Sequence, residues 1–312
     1  MDIIYYHPFF DADEWVAGIT KRLPEAKVRI WQRGDNKPAQ YALVWKPPYE
    51  MLAGRKDLKA IFALGAGVDA ILEQEKQRPG TLPAGVPIIR LQDAGMALQM
   101  EEYAVACVMR YFRRFDEYQL QQQGKRWQYL APYTYEEFTV GVMGLGILGS
   151  KVAQRLASLG FKVKGWSQTK KEIAQVESYD HSQLPEFLKE TKVIINLLPN
   201  TQQTVGILNK SLFDQLATGA FIINIARGVH IIEDDLLDAL ATGQIAATTL
   251  DVFTTEPLPE SHPFWSHNRV TITPHIAAIT LPDTAMDQIF NKIKALEAGL
   301  SVEGLVNLSK GY

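Results

Sequence analysis

The sequence predicts an α/β protein built from two doubly wound parallel sheets. Three observations carry that expectation. Short apolar runs alternate with helical patterns along most of the chain, a glycine-rich turn joins a strand to a helix near its middle, and 312 residues exceed what one small core organises.

The first hundred or so residues set the rhythm. DIIYY (2 to 6) is followed by the helical pattern DADEWVAGITKRL (11 to 23), then by KVRIW (27 to 31), YALVW (41 to 45), LKAIFALG (58 to 65) and VPIIRL (86 to 91). Pro47-Pro48 and Gly65-Ala66-Gly67 fall just after strand candidates, at the carboxyl ends where open α/β sheets form their ligand crevices. From about Met100 to Gln121 a helical pattern runs without a breaker, and we read it as the link into a second domain. The stretch from Gln119 to Phe138 follows, with Trp127, Tyr129, Tyr133 and Tyr135, an aromatic content unusual for a free loop.

The second domain opens at Phe138 with FTVGVM and continues through FKVKGW, KVIINLL, AFIINIA and AATTLDVF, again in βα alternation. DTAMDQIFNKIKALEAGL (283 to 300) then reads as an amphipathic helix with Ala285, Ile289, Ile293 and Leu296 on one face. No repeat of solenoid length and no low-complexity tract interrupts this order.

Composition excludes several classes. Lys+Arg 32 against Asp+Glu 35 gives a formal charge of −3, so nothing drives generic attraction to nucleic acid or to an acidic membrane. The single cysteine, Cys107, sits on an apolar helix face in EEYAVACVMRYF and reads as a small core residue, with no disulfide framework or cysteine-based metal cluster to build. His7, His181, His230, His262 and His267 show no metal-ligand spacing, and no metal is expected. The N-terminus MDIIYYHPFF lacks the marks of a signal peptide, and no apolar run approaches the roughly 20 residues that span a bilayer. A cytoplasmic protein without a membrane or nucleic-acid partner is expected.

Gly144-Leu145-Gly146-Ile147-Leu148-Gly149 satisfies G-x-G-x-x-G between the strand FTVGVM and the helical pattern SKVAQRLASLG, the context that a dinucleotide site requires. Gly144 suits the tight turn, Gly146 the approach of a pyrophosphate and Gly149 close packing of helix on strand, while the free amides at Ile147 and Leu148 open the helix. An NAD-type site carries an acid about 20 residues on. Here the second strand ends in Ser167-Gln168-Thr169-Lys170-Lys171. A hydroxyl and two ammonium groups stand where a carboxylate would repel a 2′-phosphate, so NADPH is the favoured cofactor and NADH the weaker one.

Downstream, Asn224-Ile225-Ala226-Arg227-Gly228, Leu250-Asp251-Val252-Phe253, Glu256-Pro257 and Thr273-Pro274-His275-Ile276 each follow a strand-like run. Arginine offers a fixed fork of donors to a carboxylate. A histidine can protonate a carbonyl oxygen as hydride arrives, and a carboxylate on its other nitrogen would orient it.

GLGILG, NLLPNT (196 to 201), NIARG (224 to 228), LDVF with EPLP, and TPHIA (273 to 277) resemble the D-isomer-specific 2-hydroxyacid dehydrogenases. VWKPP (44 to 48), ALGAGVD (63 to 69), FRRFD (112 to 116) and the ending Lys310-Gly311-Tyr312 extend that resemblance over essentially the whole chain. It implies a Rossmann cofactor domain (100 to 284) inserted into a flavodoxin-like substrate domain (1 to 99 with 285 to 312), a cleft between them, and a homodimer. It also implies roles. Arg227 would hold the carboxylate of a 2-oxo acid, His275 would be the acid/base and Glu256 its orienting partner. Ala66, Gly67 and Val68 would present amides to the substrate beside Trp45. Leu198, Pro199, Ile225, Ala226, Asp251 and His275 would complete the cofactor site, Asp251 and the Ile225 region meeting the nicotinamide carboxamide. A related branch carries arginines after Trp166 where this chain has Gln168 and Lys170. Trp45, Met96 and Trp265 are candidates to narrow the cleft, against a plain core reading.

The leading expectation is therefore NADPH-dependent reduction of a small 2-oxo acid, glyoxylate or hydroxypyruvate. A reductase of a larger oxo acid is the alternative within the class, and a non-catalytic dinucleotide sensor the alternative outside it.

Overall fold

The apolar runs of the N-terminal third become parallel strands β1 (Asp2–Tyr6), β2 (Lys27–Ile30), β3 (Tyr41–Val44), β4 (Ala60–Ala63) and β5 (Ile88–Arg90), joined by helices α1 (Ala12–Arg22), α2 (Tyr49–Leu52) and α3 (Asp69–Gln77). Their order in the sheet is β2-β1-β3-β4-β5, the flavodoxin-like doubly wound arrangement. Helix α1 starts where the Asp11 side chain accepts the Asp13 and Glu14 amides. In this computed structural model, which describes residues 1–308 and 311, the chain divides into one unit of Met1–Gly95 with Thr280–Tyr312 and a second of Met96–Ile279. Lys310 and Tyr312 of the ending lie outside the described residues.

The second unit holds helices α4 (Met96–Phe112) and α5 (Phe115–Gln123), strand β6 (Val140–Met143), α6 (Ile147–Ser158), β7 (Val163–Trp166), β8 (Val176–Tyr179), α7 (Leu184–Leu188), β9 (Val193–Asn196), α8 (Lys210–Phe213), β10 (Ala220–Asn224), α9 (Glu233–Thr242), β11 (Ile245–Leu250) and β12 (Val270–Ile272). Its seven strands run in the order β12-β11-β10-β9-β6-β7-β8, a Rossmann sheet with one strand added beyond the sixth. The pleat sends alternate residues to opposite cores: Phe221 and Ile223 pack with Val140, Val142 and α4 on one face, Ala220 and Ile222 with Phe187 and Leu240 on the other. Cys107 is buried in the first of these, and burial pushes its thiol up to about 12.

Helix α10 (Pro282–Glu297) returns to the first unit. It packs on α1, where Arg22 bonds Asp283 at 3.0 Å and Asp287 at 2.6 Å, with Ala285, Ile289 and Ile293 buried. The chain then lies along β5, the Val306 amide donating to Ile88 and the Arg90 amide to Gly304 at 2.9 Å each.

One expectation fails. The unbroken helix read from Met100 to Gln121 is two helices, because Arg114 adopts a left-handed φ of 59° between them. No glycine or proline marks the break. Its guanidinium forks onto Glu117 at 2.7 and 2.8 Å, donates to the Ala131 carbonyl at 2.7 Å and covers the Tyr133 ring, so contacts along the following segment hold the unusual backbone. Edge strands β8 and β12, half exposed and short, lack the apolar run that marks the central strands.

Candidate active site

Because all seven strands of the second unit are parallel, the loops after β6, β7, β9, β10, β11 and β12 gather at one edge of the sheet. The chain leaves β6 toward β7 on one side and returns to β9 on the other, so the switch point lies between β6 and β9. There the turn at Gly144 meets the backbone of Leu197 so closely that a Cβ on Gly144 would stand 2.6 Å from the Leu197 carbonyl oxygen.

The glycine loop fits a pyrophosphate. Gly146 and Ile147 are exposed at the start of α6, and a Cβ on Gly146 would meet nothing within 4 Å, so open space faces the free amides of the helix. Gly149 is compelled differently: a Cβ would fall 1.8 Å from the Gly144 carbonyl oxygen, which only glycine allows. After β7, the Ser167 hydroxyl donates to the Thr169 carbonyl at 2.8 Å and Ser178 accepts the Lys171 amide at 2.9 Å. That shape leaves Lys170 and Lys171 exposed. His181, which the sequence did not single out for this loop, reaches the Gln168 carbonyl at 3.2 Å.

The loops after β9 and β10 are tied together by a buried polar cluster. Asn196 donates to Asn224 Oδ1 at 2.9 Å and to His230 Nδ1 at 2.8 Å. The Asn196 and Asn224 carboxamide oxygens accept the amides of Leu198 and Ala226, and Asn224 Nδ2 donates to the Arg227 carbonyl at 2.9 Å. The backbone segments with Leu198 and Pro199 and with Ile225, Ala226 and Arg227 are thus held at Leu198, Ala226 and Arg227 by Asn196 and Asn224, which with His230 are fully buried. Sequence reasoning passed over Asn196 and His230. The available signal was an asparagine closing each of two otherwise apolar strands, at paired positions in the sheet.

Gly228 brings the Arg227 loop against the next one. A Cβ there would sit 1.9 Å from the Phe253 carbonyl carbon, so the two backbones touch. The Arg227 guanidinium donates to the Ala226 carbonyl at 2.7 Å.

Asp251, 1% exposed at the end of β11, organises the loop that carries His275. Its carboxylate accepts the Thr273 hydroxyl at 2.6 Å and the Ile276 and Ala277 amides at 2.8 Å, and its carbonyl accepts the His275 amide at 2.8 Å. Three of about four lone-pair sites are thereby filled, leaving one for a further donor. Burial raises the Asp251 pKa above the ordinary carboxylate value despite these donors. Tyr103 on α4 braces the same point through a hydroxyl contact with Thr273 at 2.5 Å. Held this way, His275 takes a left-handed φ of 57° and meets Glu256 through Nδ1 at 2.9 Å, while the other Glu256 oxygen accepts the Phe253 amide at 3.1 Å. The imidazole side chain is 43% exposed, open to a reactant.

In the first unit, Trp45 follows β3, and Ala66, Gly67 and Val68 lie between β4 and α3, with their amides at the head of that helix. Met96 is buried, and Trp265 is half exposed with its indole donating to the Pro259 carbonyl at 2.9 Å. Among the described residues no cluster of side chains could hold a metal ion.

The family model for the NAD-binding domain of D-isomer specific 2-hydroxyacid dehydrogenases matches residues 105–277. The chain is 61% identical over 313 aligned residues to glyoxylate/hydroxypyruvate reductase A of Yersinia enterocolitica, covering 100% of both. A D-isomer specific 2-hydroxyacid dehydrogenase of Xanthobacter autotrophicus Py2, solved with NADPH and MES, superposes with a TM-score of 0.93 at 38% identity, over 100% of this chain and 99% of that one. An NADPH-dependent glyoxylate/hydroxypyruvate reductase of Sinorhizobium meliloti, solved with NADP and sulfate, gives 0.92 at 34% over the same shares.

Proposed function

The chain belongs to the D-isomer specific 2-hydroxyacid dehydrogenase family, and on that footing we propose that it reduces glyoxylate and hydroxypyruvate to their 2-hydroxy acids, with NADPH as the preferred cofactor. It is an NAD(P)H-dependent oxidoreductase. The observation that carries the reading is the His275–Glu256 pair at 2.9 Å, with Glu256 in the loop whose backbone touches the one that bears Arg227. A protein that only sensed the dinucleotide would need no such proton donor.

When bound, NADPH supplies the hydride. Gly144, Gly146, Ile147, Leu148 and Gly149 would hold its pyrophosphate, Lys170 and Lys171 with Ser167 its 2′-phosphate end, and Leu198, Pro199, Ile225, Ala226 and Asp251 its nicotinamide side. Arg227 grips the substrate carboxylate by its two-pronged donor face and draws electron density from the carbonyl. Ala66, Gly67 and Val68 offer backbone amides to the same anionic end, beside Trp45. Glu256 fixes the imidazole through Nδ1, which leaves Nε2 to deliver the proton as charge grows on the substrate oxygen. Glu256 also offsets the positive charge of the protonated ring.

We also propose a homodimer in the cytoplasm, joined through the aromatic segment from Gln119 to Phe138. Tyr133 and Tyr135 pack on Phe138, Phe112 and Phe161 of their own chain, whereas Trp127 is wholly exposed and Tyr129 is 78% exposed. Exposed aromatic rings two residues apart in the chain favour a protein partner over water. Among the described residues no helix is long and apolar enough to cross a membrane.

A panel of 2-oxo acids assayed against NADPH and NADH tests the function. Glyoxylate and hydroxypyruvate with NADPH should give the highest kcat/KM; a bulky oxo acid outpacing both would overturn the substrate assignment.

A further inference from the structure

The five-stranded sheet has a switch point of its own. The chain leaves β1 toward β2 on one side and returns to β3 on the other, and open α/β sheets take ligands at such a point. The residues directly after those two strands are His7 and Trp45. Their rings lie 6.3 Å apart at 13°. His7 stacks at 3.8 Å and 4° on Phe10, Phe10 at 5.8 Å and 8° on Trp15, and Trp15 at 5.7 Å and 24° on Tyr5. Trp45 therefore ends a run of near-parallel rings that is rooted in the buried Trp15 and Tyr5.

Trp45 also touches Gly65, where a Cβ would stand 2.5 Å from its Cζ3, so the indole lies against the backbone that leads into Ala66-Gly67-Val68. The next residue, Lys46, has a left-handed φ of 43° immediately before Pro47, a strained turn that its surroundings must hold. The His7 ring is fixed from the other side, because Nδ1 accepts the Phe9 and Phe10 amides at 3.1 and 2.9 Å. Burial pushes the His7 pKa down to about 4, so the ring stays neutral and keeps that lone pair at working pH.

We propose that His7 is a positioning residue whose ring holds Trp45 at this switch point and thereby sets how close a wall the indole presents to a small 2-oxo acid. The inference rests on the reading of Trp45 as substrate-facing. It assigns size discrimination to a stack of rings, with His7 acting through Trp45 and leaving proton transfer to His275. Glyoxylate, the smaller acid, depends on a close wall more than hydroxypyruvate, whose hydroxymethyl group fills a looser space.

Steady-state kinetics on both acids and on NADPH separate the possibilities. His7→Asn keeps an acceptor for the Phe9 and Phe10 amides but removes the ring; it should raise the glyoxylate KM by about three- to tenfold, as expected for losing an aromatic pair, and the hydroxypyruvate KM by less. The NADPH KM and kcat should stay within about twofold. His7→Phe restores the ring without the acceptor and should recover most of the glyoxylate affinity at a lower Tm. In a Trp45→Ala background, His7→Asn should add nothing further. A His7→Phe enzyme as impaired for glyoxylate as His7→Asn, or effects of His7→Asn and Trp45→Ala that multiply, would overturn the proposal, and the His7→Phe comparison with wild type stands even if His7→Asn fails to fold. A wild-type enzyme inactive on both acids sinks the functional reading itself; an active wild type with an unmoved His7→Asn sinks only this inference.

Discussion

His275 owes its place to Asp251. A left-handed histidine costs about 1–3 kcal/mol and persists only where its surroundings over-determine it. Asp251 does so through three hydrogen bonds to the loop and a fourth from the His275 amide, with Tyr103 behind Thr273. The ring is thereby presented to Glu256 at 2.9 Å with Nε2 left for the substrate. His275→Ala is expected to lower kcat for glyoxylate by about 10²- to 10⁴-fold, the range for a general acid, while NADPH binding measured by fluorescence stays close to wild type. Glu256→Gln preserves the shape and an acceptor oxygen but loses the charge, and its loss of kcat should be the smaller of the two. A His275→Ala enzyme turning over at nearly the wild-type rate would move the proton donor elsewhere.

The loop after β7 shows how a short connection encodes cofactor choice. Ser167 is buried at the strand end and spends its hydroxyl on the Thr169 carbonyl, while Lys170 and Lys171 extend into solvent. Pairing Ser167→Asp with Lys170→Ala places a carboxylate where it can accept ribose hydroxyls and repel a 2′-phosphate, and removes one attracting charge. The ratio of kcat/KM for NADPH to that for NADH should fall by about tenfold or more, a shift of about 1.4 kcal/mol. An unchanged ratio would mean that Lys171, His181 or another group reads the phosphate. Replacing only Lys170 by alanine should move the ratio the same way by less.

The two sheets repeat one architectural rule, each with a crevice-forming switch point at the carboxyl ends of its strands, and each carrying part of the proposed chemistry. Between α5 and β6 the chain spends Tyr133 and Tyr135 on its own core and leaves Trp127 and Tyr129 outside. Multi-angle light scattering at micromolar concentration should therefore report twice the 35.0 kDa chain mass. Trp127→Asp, which puts a charge at the most exposed ring, should shift the population toward monomer. A wild-type monomer would end the dimer proposal.

Much of this was readable from residue order. Buried parallel strands such as AFIIN and VIIN are apolar on both faces and announce themselves, and the strand, glycine turn and helix around Gly144 form one local unit whose chemistry needs nothing distant. Glu256 and His275 could be named through the family resemblance that the set of motifs carries. What the motifs lacked was the support beneath them. Asn196, Asn224 and His230 meet across 34 residues of chain, and Asp251 reaches loop amides up to 26 residues on. The bend at Arg114 depends on Ala131 and Tyr133, and the stacking of His7 on Trp45 joins the ends of two strands. Local periodicity reports which face of an element is apolar, but hydrogen bonds and ring contacts between loops exist only after the sheets have brought those loops together. Tertiary packing therefore chose which polar groups were buried, which backbones were strained and which rings met.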